Sequence, residues 1–107
     1  NLKENIKEIQ SPLERLSKIR GVTFDWNDKQ EAYEGSDIGV IAQEVAKQFP
    51  ELTTIRSDGY MAVKYEKLTA VLIAAVNELA DEVRGNRELI REMENILIAN
   101  KTPEQTD

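Results

Sequence analysis

The sequence predicts an α+β protein in which a small head of short helices and strands precedes one long C-terminal helix. Two observations support this fold class. Short apolar patterns of helical and strand period occupy residues 1–64, and one continuous helical pattern runs over residues 65–100. We expect one domain in all, with a head over residues 1–64, a helix over residues 65–100 and a frayed tail over residues 101–107.

The long helix carries its apolar or interface-compatible residues at steps of three and four, which is the spacing of a heptad repeat. These residues are Tyr65, Leu68, Leu72, Ala75, Leu79, Val83, Asn86, Ile90, Met93, Leu97 and Asn100. Two four-residue steps adjoin once, which predicts a stutter. At 1.5 Å per residue the helix would be about 50 Å long, more than this head can cover. The narrow seam therefore predicts association with other copies of the chain. The alternative is two ordinary helices broken at Gly85.

The head begins with residues 1–10, whose apolar residues fit either a helix or an extended segment docked on the core. Ser11 is then expected to cap a short helix, with Pro12 at its first position and Glu14 completing a capping box. Leu13, Leu16 and Ile19 form one face of this helix, and Gly21 is the expected stop.

A strand and a second helix should follow. Val22, Phe24 and Trp26 alternate with polar residues, which indicates a half-buried strand with Trp26 in the core. Residues 27–37 read as a loop or the tip of a projecting hairpin. Ser36 or Asp37 is expected to cap the second helix, which Pro50 ends and whose buried face comprises Ile38, Ile41, Ala42, Val45 and Phe49.

A hairpin completes the predicted head. Two short apolar runs, residues 52–56 and 60–64, flank Asp58-Gly59, and this dipeptide is typical of a tight β-turn. Tyr65 then begins the long helix.

Composition excludes several classes of protein and site. The chain has a net charge of −6 and no basic cluster clear of acidic neighbours, which argues against nucleic acid as a partner. It has no Cys and no His, so disulfides, thiol or histidine catalysis and the usual zinc sites are excluded, and we expect no cofactor or metal. No apolar run is long enough for a bilayer, and the start resembles no signal peptide. Because it also lacks an initiator Met, we expect a piece of a longer protein.

Several segments resemble the intramolecular chaperone domain of phage tailspikes and tail fibres, the chaperone of endosialidase family. The matching blocks, from the first residues to about Leu79, are L-K-x-N-I at residues 2–6, residues 16–26 ending in G-V-T-F-D-W, G-V-I-A-Q-E-V within residues 38–45, F-P-E-L at residues 49–52, and D-G-Y-M-A-V-x-Y-x-x-L at residues 58–68 with residues 72–76. The G-V-I-A-Q-E-V block is the most specific of these. The family also includes neck appendage proteins and animal myelin regulatory factors, so it does not fix the source.

The resemblance implies a domain at the C-terminus of a fibrous protein that forms a homotrimer, here through a parallel three-stranded coiled coil. Its partners would be two further copies and the upstream fibre or tailspike region, whose folding it assists. It would act in the host cytoplasm during phage assembly and be released from, or absent in, the mature virion. The interface residues expected on this basis are Leu68, Leu72, Leu79, Val83, Asn86, Ile90, Met93 and Leu97.

The resemblance also implies self-cleavage by a Ser-Lys dyad, in a motif of the type S-D-x-x-x-K cut just before its Ser. Lys3 matches the Lys of that motif. The Ser would lie five residues before Lys3 and therefore upstream of Asn1. Asn1 itself occupies a position where the family often has Arg. A Lys amine accepts a proton only when neutral, so burial or a cationic neighbour must lower its pKa.

Two further interpretations of the chain stay open at the level of sequence. One is a structural trimerisation module that never cleaves. The other is a monomeric adaptor domain whose long helix binds a different partner. Lys3 in particular has an ordinary alternative as a solvated residue beside Glu4.

Overall fold

A computed structural model describes residues 2–27, 29 and 33–101 of the chain. In order, the elements are α1 (Pro12–Leu16), β1 (Gly21–Asp25), β2 (Ser36–Val40), α2 (Ala42–Gln48), a single 3₁₀ turn (Pro50–Leu52), β3 (Thr53–Ile55), β4 (Met61–Val63) and α3 (Tyr65–Lys101). This confirms a small strand and helix head with a long C-terminal helix. The chain divides into two compact units, Asn1–Ala75 and Val76–Asp107. The frayed tail expected over residues 101–107 lies outside the described residues except for Lys101.

The core of the first unit forms where α2 and the start of α3 meet. Its buried members are Val45, Phe49, Leu52, Leu68 and Val71. Five half-buried residues pack against them, namely Ile9, Leu16, Ile19, Val40 and Val63. Each large buried side chain contributes roughly 1.5–3 kcal/mol relative to exposure.

Arg15 joins α1 to the end of α2. Its Nε donates to the carbonyl oxygen of Gln48 at 3.1 Å, and its guanidinium carbon lies 3.9 Å from the centroid of the Phe49 ring. A cation at a helix C-terminus satisfies carbonyls that have no partner within the helix, and it interacts favourably with the helix dipole. Arg15 thus caps the C-terminal end of α2 and also covers the ring of Phe49, the largest side chain of the core.

The structure has no helix over residues 2–10, and it corrects the predicted capping of α1. Residues 2–10 form neither helix nor strand. Ser11 and Pro12 do occupy the N-cap and first helical positions of α1, but the capping box is wrong. Ser11 has a φ of 49°, and its side chain makes no capping hydrogen bond, because such a bond requires an N-cap residue in the extended region. α1 also ends at Leu16, and Gly21 begins β1 rather than stopping a helix.

The second helix is shorter than expected, because its first part is a strand. β2 pairs antiparallel with β1, with Val22 opposite Gly39 and Thr23 opposite Ile38. The helix therefore begins only at Ala42, and Ile38 is exposed rather than on a buried helical face. β-branched Ile38 and Val40 flank Gly39, which suits a paired strand better than a helix interior. The expected end of the helix before Pro50 is confirmed.

Gly39 lies in close contact with two aromatic side chains. A Cβ at this position would lie 2.9 Å from the Tyr65 hydroxyl oxygen and 3.3 Å from a ring carbon of Phe24. The same hydroxyl accepts a hydrogen bond from the backbone N–H of Val40 at 3.4 Å. The first residue of α3 therefore packs directly on the β1–β2 hairpin, and any side chain larger than that of glycine would displace the Tyr65 hydroxyl.

Trp26 lies at the edge of the head and not in its core as expected. It is half-buried, its ring stacks on Tyr33 at a centroid distance of 4.8 Å, and it meets Phe24 edge to face at 4.9 Å. Its indole N–H donates to a carboxylate oxygen of Asp37 at 3.2 Å. An indole needs a partner for its N–H, and this partner lies on the opposite strand of an exposed hairpin.

The second hairpin agrees with the sequence. β3 pairs with β4, with Thr53 opposite Val63 and Ile55 opposite Met61. Gly59 has a φ of +87°, which a glycine adopts without steric cost. α3 then begins at Tyr65 as expected and continues through Gly85, so the alternative of two broken helices is wrong.

An ion pair fastens the entry of β1 to α2. The Arg20 side chain donates to one oxygen of Glu44 at 2.9 and 2.6 Å, and its backbone N–H donates to the other oxygen at 3.0 Å. The side-chain hydrogen bond from Arg20 is the main cause that lowers the pKa of Glu44 below its ordinary value of 4.5. A carboxyl group whose pKa is lowered by folding stabilises the fold above its unfolded pKa, and this contribution is lost as the pH falls through the folded pKa.

We therefore expect acidification from about pH 6 to about pH 3 to lower the urea midpoint more for the wild type than for Glu44→Gln. Urea unfolding at one fixed protein concentration measures this, since association would otherwise change the midpoint. Glu92→Gln, an exposed change in α3, should keep the wild-type pH profile. Identical pH profiles for wild type and Glu44→Gln would show that this ion pair does not contribute.

Candidate functional site

Near the start of α3, one side of the helix is buried within the first unit. Leu68, Val71 and Ala75 are 8%, 2% and 4% exposed. Leu68 and Val71 belong to the core cluster with Phe49. Leu68 was expected in the interface between copies, but its side chain is already packed inside the head.

The other expected interface residues are all exposed. In the first unit this applies to Leu72, and in the second to Leu79, Val83, Asn86, Ile90, Met93 and Leu97. No residue of α3 after Ala80 is buried or half-buried within the described chain. We call these seven residues the seam, and no other part of the described chain buries them.

The burial pattern assigns Val76 rather than Ala75 to the exposed heptad, and the expected stutter then disappears. Ala75 is only 4% exposed, whereas its neighbour Val76 is 62% exposed. With Val76 in place of Ala75, the exposed run from Thr69 proceeds at strictly alternating steps of three and four. Its members are Thr69, Leu72, Val76, Leu79, Val83, Asn86, Ile90, Met93, Leu97 and Asn100. An uninterrupted heptad of this kind is the pattern of a left-handed supercoil.

A third column widens the apolar face near the end of α3. Leu89 and Ile96, each one residue before a seam position, are exposed and seven residues apart. One and two heptads before Leu89, the same column holds Glu82 and Ala75. Apolar residues at three heptad positions form a face of about 100°, wider than the two-position seam of a simple coiled coil.

Asn86 is the one polar residue within the seam between Leu72 and Leu97. A lone polar residue in a core layer fixes register and oligomer state at a cost in stability. We expect Asn86→Ile to raise the melting temperature by about 5 °C or more and to permit other oligomer sizes. Calorimetry and sedimentation measure the two effects, with Asn77→Ile on the outer face as a control. A lower melting temperature would show that Asn86 is not in a packed layer.

Lys3 lies in the irregular segment before α1. It is exposed, as are Leu2 and Ile6 on either side of it, whereas Ile9 packs against the core. The segment between Leu2 and Ile9 therefore leaves the core and projects its side chains outward. The assignment of Lys3 as a base stays a prediction.

The head carries a groove of about 690 Å³ between its two hairpins, within the volume range of ligand sites. Residues 22–27 border it without interruption along β1, and residues 60–63 do so along β4. Its other lining residues are Lys29, Val40, Ile41, Ala42, Arg56 and Tyr65. The charged side chains among these residues are Asp25, Lys29 and Arg56, and Arg56 pairs with Asp58 at 2.6 Å.

Among the described residues, no helix is both long and apolar enough to cross a membrane. Over the same part of the chain, His, Cys, Asp and Glu side chains nowhere form a group of three or more that could hold a metal ion.

Comparison with known proteins identifies the head. The sequence profile described as chaperone of endosialidase matches residues 1–54, from the segment of Lys3 to the middle of β3. The chain belongs to the chaperone of endosialidase family. The match covers β1, β2 and α2, and therefore both the Gly39 packing site and one wall of the groove.

Three phage fibre proteins are similar to this family member. Over 104 residues it is 36% identical to the long tail fiber protein Gp37 of Salmonella phage S16, covering 90% of the chain and 14% of that fibre. Over 89 residues it is 28% identical to the Gp37 proteins of Enterobacteria phages M1 and Ox2, covering 78% of the chain and 36% of each relative. The chain thus spans only a minor part of the relatives that it matches.

Sequence reasoning missed Val76, Leu89 and Ile96 on the exposed face of α3, and it missed the groove. Val76 had a sequence signal, since placing it in the seam gives a heptad without a stutter. The choice between Ala75 and Val76 depends on which side of α3 the head covers, and that is a tertiary fact. The groove had no such signal, because its walls come from separate hairpins.

Proposed function

We propose that this chain is a homotrimeric intramolecular chaperone domain that assists trimerisation and folding of an upstream phage fibre region. The observation that carries this proposal is the exposed heptad of α3, which comprises the seam and Val76. Only Leu68, Val71 and Ala75, near the start of this helix, are buried in the first unit. Water contact of so many large apolar side chains is costly, and burial between copies removes it. The profile match ends before α3, so self-association rests on the seam and not on the match.

Two features of the exposed face of α3 bear on the number of strands. Val76, Val83 and Ile90 alternate with Leu72 and Leu79, and β-branched residues at one position with Leu at the other favour two strands. The added column of Leu89 and Ile96 favours a bundle of more helices, because a wider apolar face needs more neighbours to cover it. We assign three strands, in agreement with the trimers that the family resemblance implies.

The chaperone role follows from where such a trimer would form. A bundle at the C-terminus brings three chains into register and shortens the search for contacts among their upstream regions. The relatives in phages S16, M1 and Ox2 are long tail fibre proteins, which supplies the class of upstream region. The setting for this assembly is the host cytoplasm before the virion is complete.

We assign release of the domain to a Ser-Lys dyad with Lys3 as its base. The Ser hydroxyl five residues before Lys3 would attack the carbonyl carbon of the residue that precedes it. The neutral Lys amine takes the hydroxyl proton and returns it to the leaving amine, so an ester replaces the peptide bond. Water then hydrolyses the ester and frees the domain. Lys3 is exposed in the single chain, so the burial that favours a neutral amine would come from assembly.

Two measurements test this function. Sedimentation equilibrium of the chain should give three times 12.2 kDa, and twice that mass or a monomer would contradict a trimer. In the full-length fibre, deletion of residues 76–101 should abolish the yield of soluble fibre, whereas deletion of residues 102–107 should not. An unchanged yield without residues 76–101 would refute the chaperone role.

A further inference from the structure

The groove between the two hairpins is bordered by strand edges. β1 pairs only with β2, and β4 only with β3, so within the described residues each has one edge without a strand partner. Neighbouring side chains of a strand point to opposite faces. A groove that touches every residue from Val22 to Asn27, and every residue from Tyr60 to Val63, therefore runs along the edges of both strands.

Such edges are a natural place for another strand. Unpaired backbone N–H and C=O groups at a sheet edge bind extended peptides by main-chain hydrogen bonds. Isolated two-stranded hairpins are marginally stable, so a strand between β1 and β4 would stabilise both hairpins by joining them in one sheet.

The chain itself contains a segment that fits the groove. Residues 2–8 form no helix or strand, Ile6 is 77% exposed and Leu2 is fully exposed. In an extended strand these two residues share one face with Glu4. This face combines apolar and acidic groups, and the groove offers apolar walls together with the cation Lys29, whereas Arg56 is already paired with Asp58.

We propose that residues 2–6 of a neighbouring copy lie as an extended strand in the groove, between β1 and β4. This inference rests on the proposed function, because self-association through the seam brings the copies together. Within one chain the exposed Leu2 and Ile6 do not fill their own groove. Ile9 is held by its own core, so Lys7 and Glu8 form the connection, which spans up to about 10 Å from Ile9 to the strand residues in an adjacent copy.

Engineered disulfides test the proposal directly, since the chain contains no cysteine. Glu4→Cys on one chain is co-expressed with Thr23→Cys, at the β1 edge, on a second chain that carries a size tag. Ser17→Cys, exposed after α1 and outside the groove, replaces Thr23→Cys as the matched control. We expect covalent dimers between the two chains to form on the order of tenfold more with Thr23→Cys than with the control.

The same samples separate the failure of this inference from that of the proposed function. Equal yields with Thr23→Cys and Ser17→Cys, in a mixture that sedimentation shows to be assembled, would overturn the strand insertion and leave the proposed function standing. A single chain with both Glu4→Cys and Thr23→Cys that closes within itself would show insertion into its own groove, which also overturns the proposal. A monomeric mixture would overturn the proposed function together with this inference.

Asn5 offers a second, independent test. It has a φ of 53° in the single chain, a left-handed conformation that a straight strand excludes. Asn5→Val penalises this conformation and favours a strand, whereas Asn5→Gly favours it. We expect disulfide yields about threefold or more higher for Asn5→Val than for Asn5→Gly, with slower amide exchange along β1 and β4. Equal yields and equal exchange for both variants would overturn the proposal.

Discussion

We expect Leu79→Asp to convert the assembled chain into monomers at about 5–50 μM protein. Leu79 lies within the exposed heptad, where every copy would place an unpaired carboxylate against the others. Burial of an uncompensated charge costs about 3–5 kcal/mol per site, and each 1.4 kcal/mol is tenfold in an equilibrium constant. Sedimentation velocity measures the loss of the oligomer.

The helical signal should fall with assembly, because helices without a packed apolar face are marginal in water. Asn77→Asp is the matched control, since it adds the same charge to an exposed position on the outer face of α3. It should keep the wild-type oligomer. In a full-length fibre, Leu79→Asp should also reduce soluble fibre while Asn77→Asp should not. An unchanged oligomer in Leu79→Asp would refute the seam assignment.

We expect Lys3→Ala to abolish self-cleavage in a full-length parent that carries a Ser five residues before it, and to leave trimerisation intact. Removal of the proton acceptor leaves the hydroxyl a weak nucleophile, and this chain offers no His or Cys as a substitute. Lys3→Arg should fail as well, because a guanidinium does not deprotonate in proteins. A denaturing gel detects the released C-terminal fragment of about 12.2 kDa.

The pH dependence and a second lysine provide controls. Higher pH raises the neutral fraction of a lysine amine, so it should speed a slow wild-type reaction and rescue neither variant. Lys7→Ala, an exposed change in the same segment, should cleave normally. Normal appearance of the fragment in Lys3→Ala or Lys3→Arg would remove Lys3 from the mechanism.

Local chemistry was enough to predict part of the fold. The Asp58-Gly59 turn, the alternation of β1, the stop before Pro50 and the start of α3 each depend on a few adjacent residues, and the structure has all four. β2 was missed because Ile38, Ile41 and Val45 also match a helical period. Pairing with β1, across a loop, decides in favour of the strand, and no short window of sequence contains that information.

The candidate site was likewise predictable from the sequence only where it depends on a local pattern. The heptad of α3 is a repeating local pattern, so its presence and most of its members were visible in the sequence. The side of the helix that the head covers depends on Phe49 and Leu52, which are distant in sequence from Val76. The Trp26 position was misjudged for a related reason, since Asp37 and Tyr33 hold the ring on an exposed hairpin.

The uncovered face of α3 has a consequence for when the second unit is ordered. If only other copies cover residues 76–101, the stability of this segment depends on how many copies are nearby. Three chains tethered to one growing fibre hold each other at an effective concentration in the millimolar range, whereas a released domain is diluted far below it. Cleavage would then do more than separate two polypeptides. It would move the bundle from a concentration at which it persists to one at which its helices can separate, so that release makes disassembly of the domain favourable.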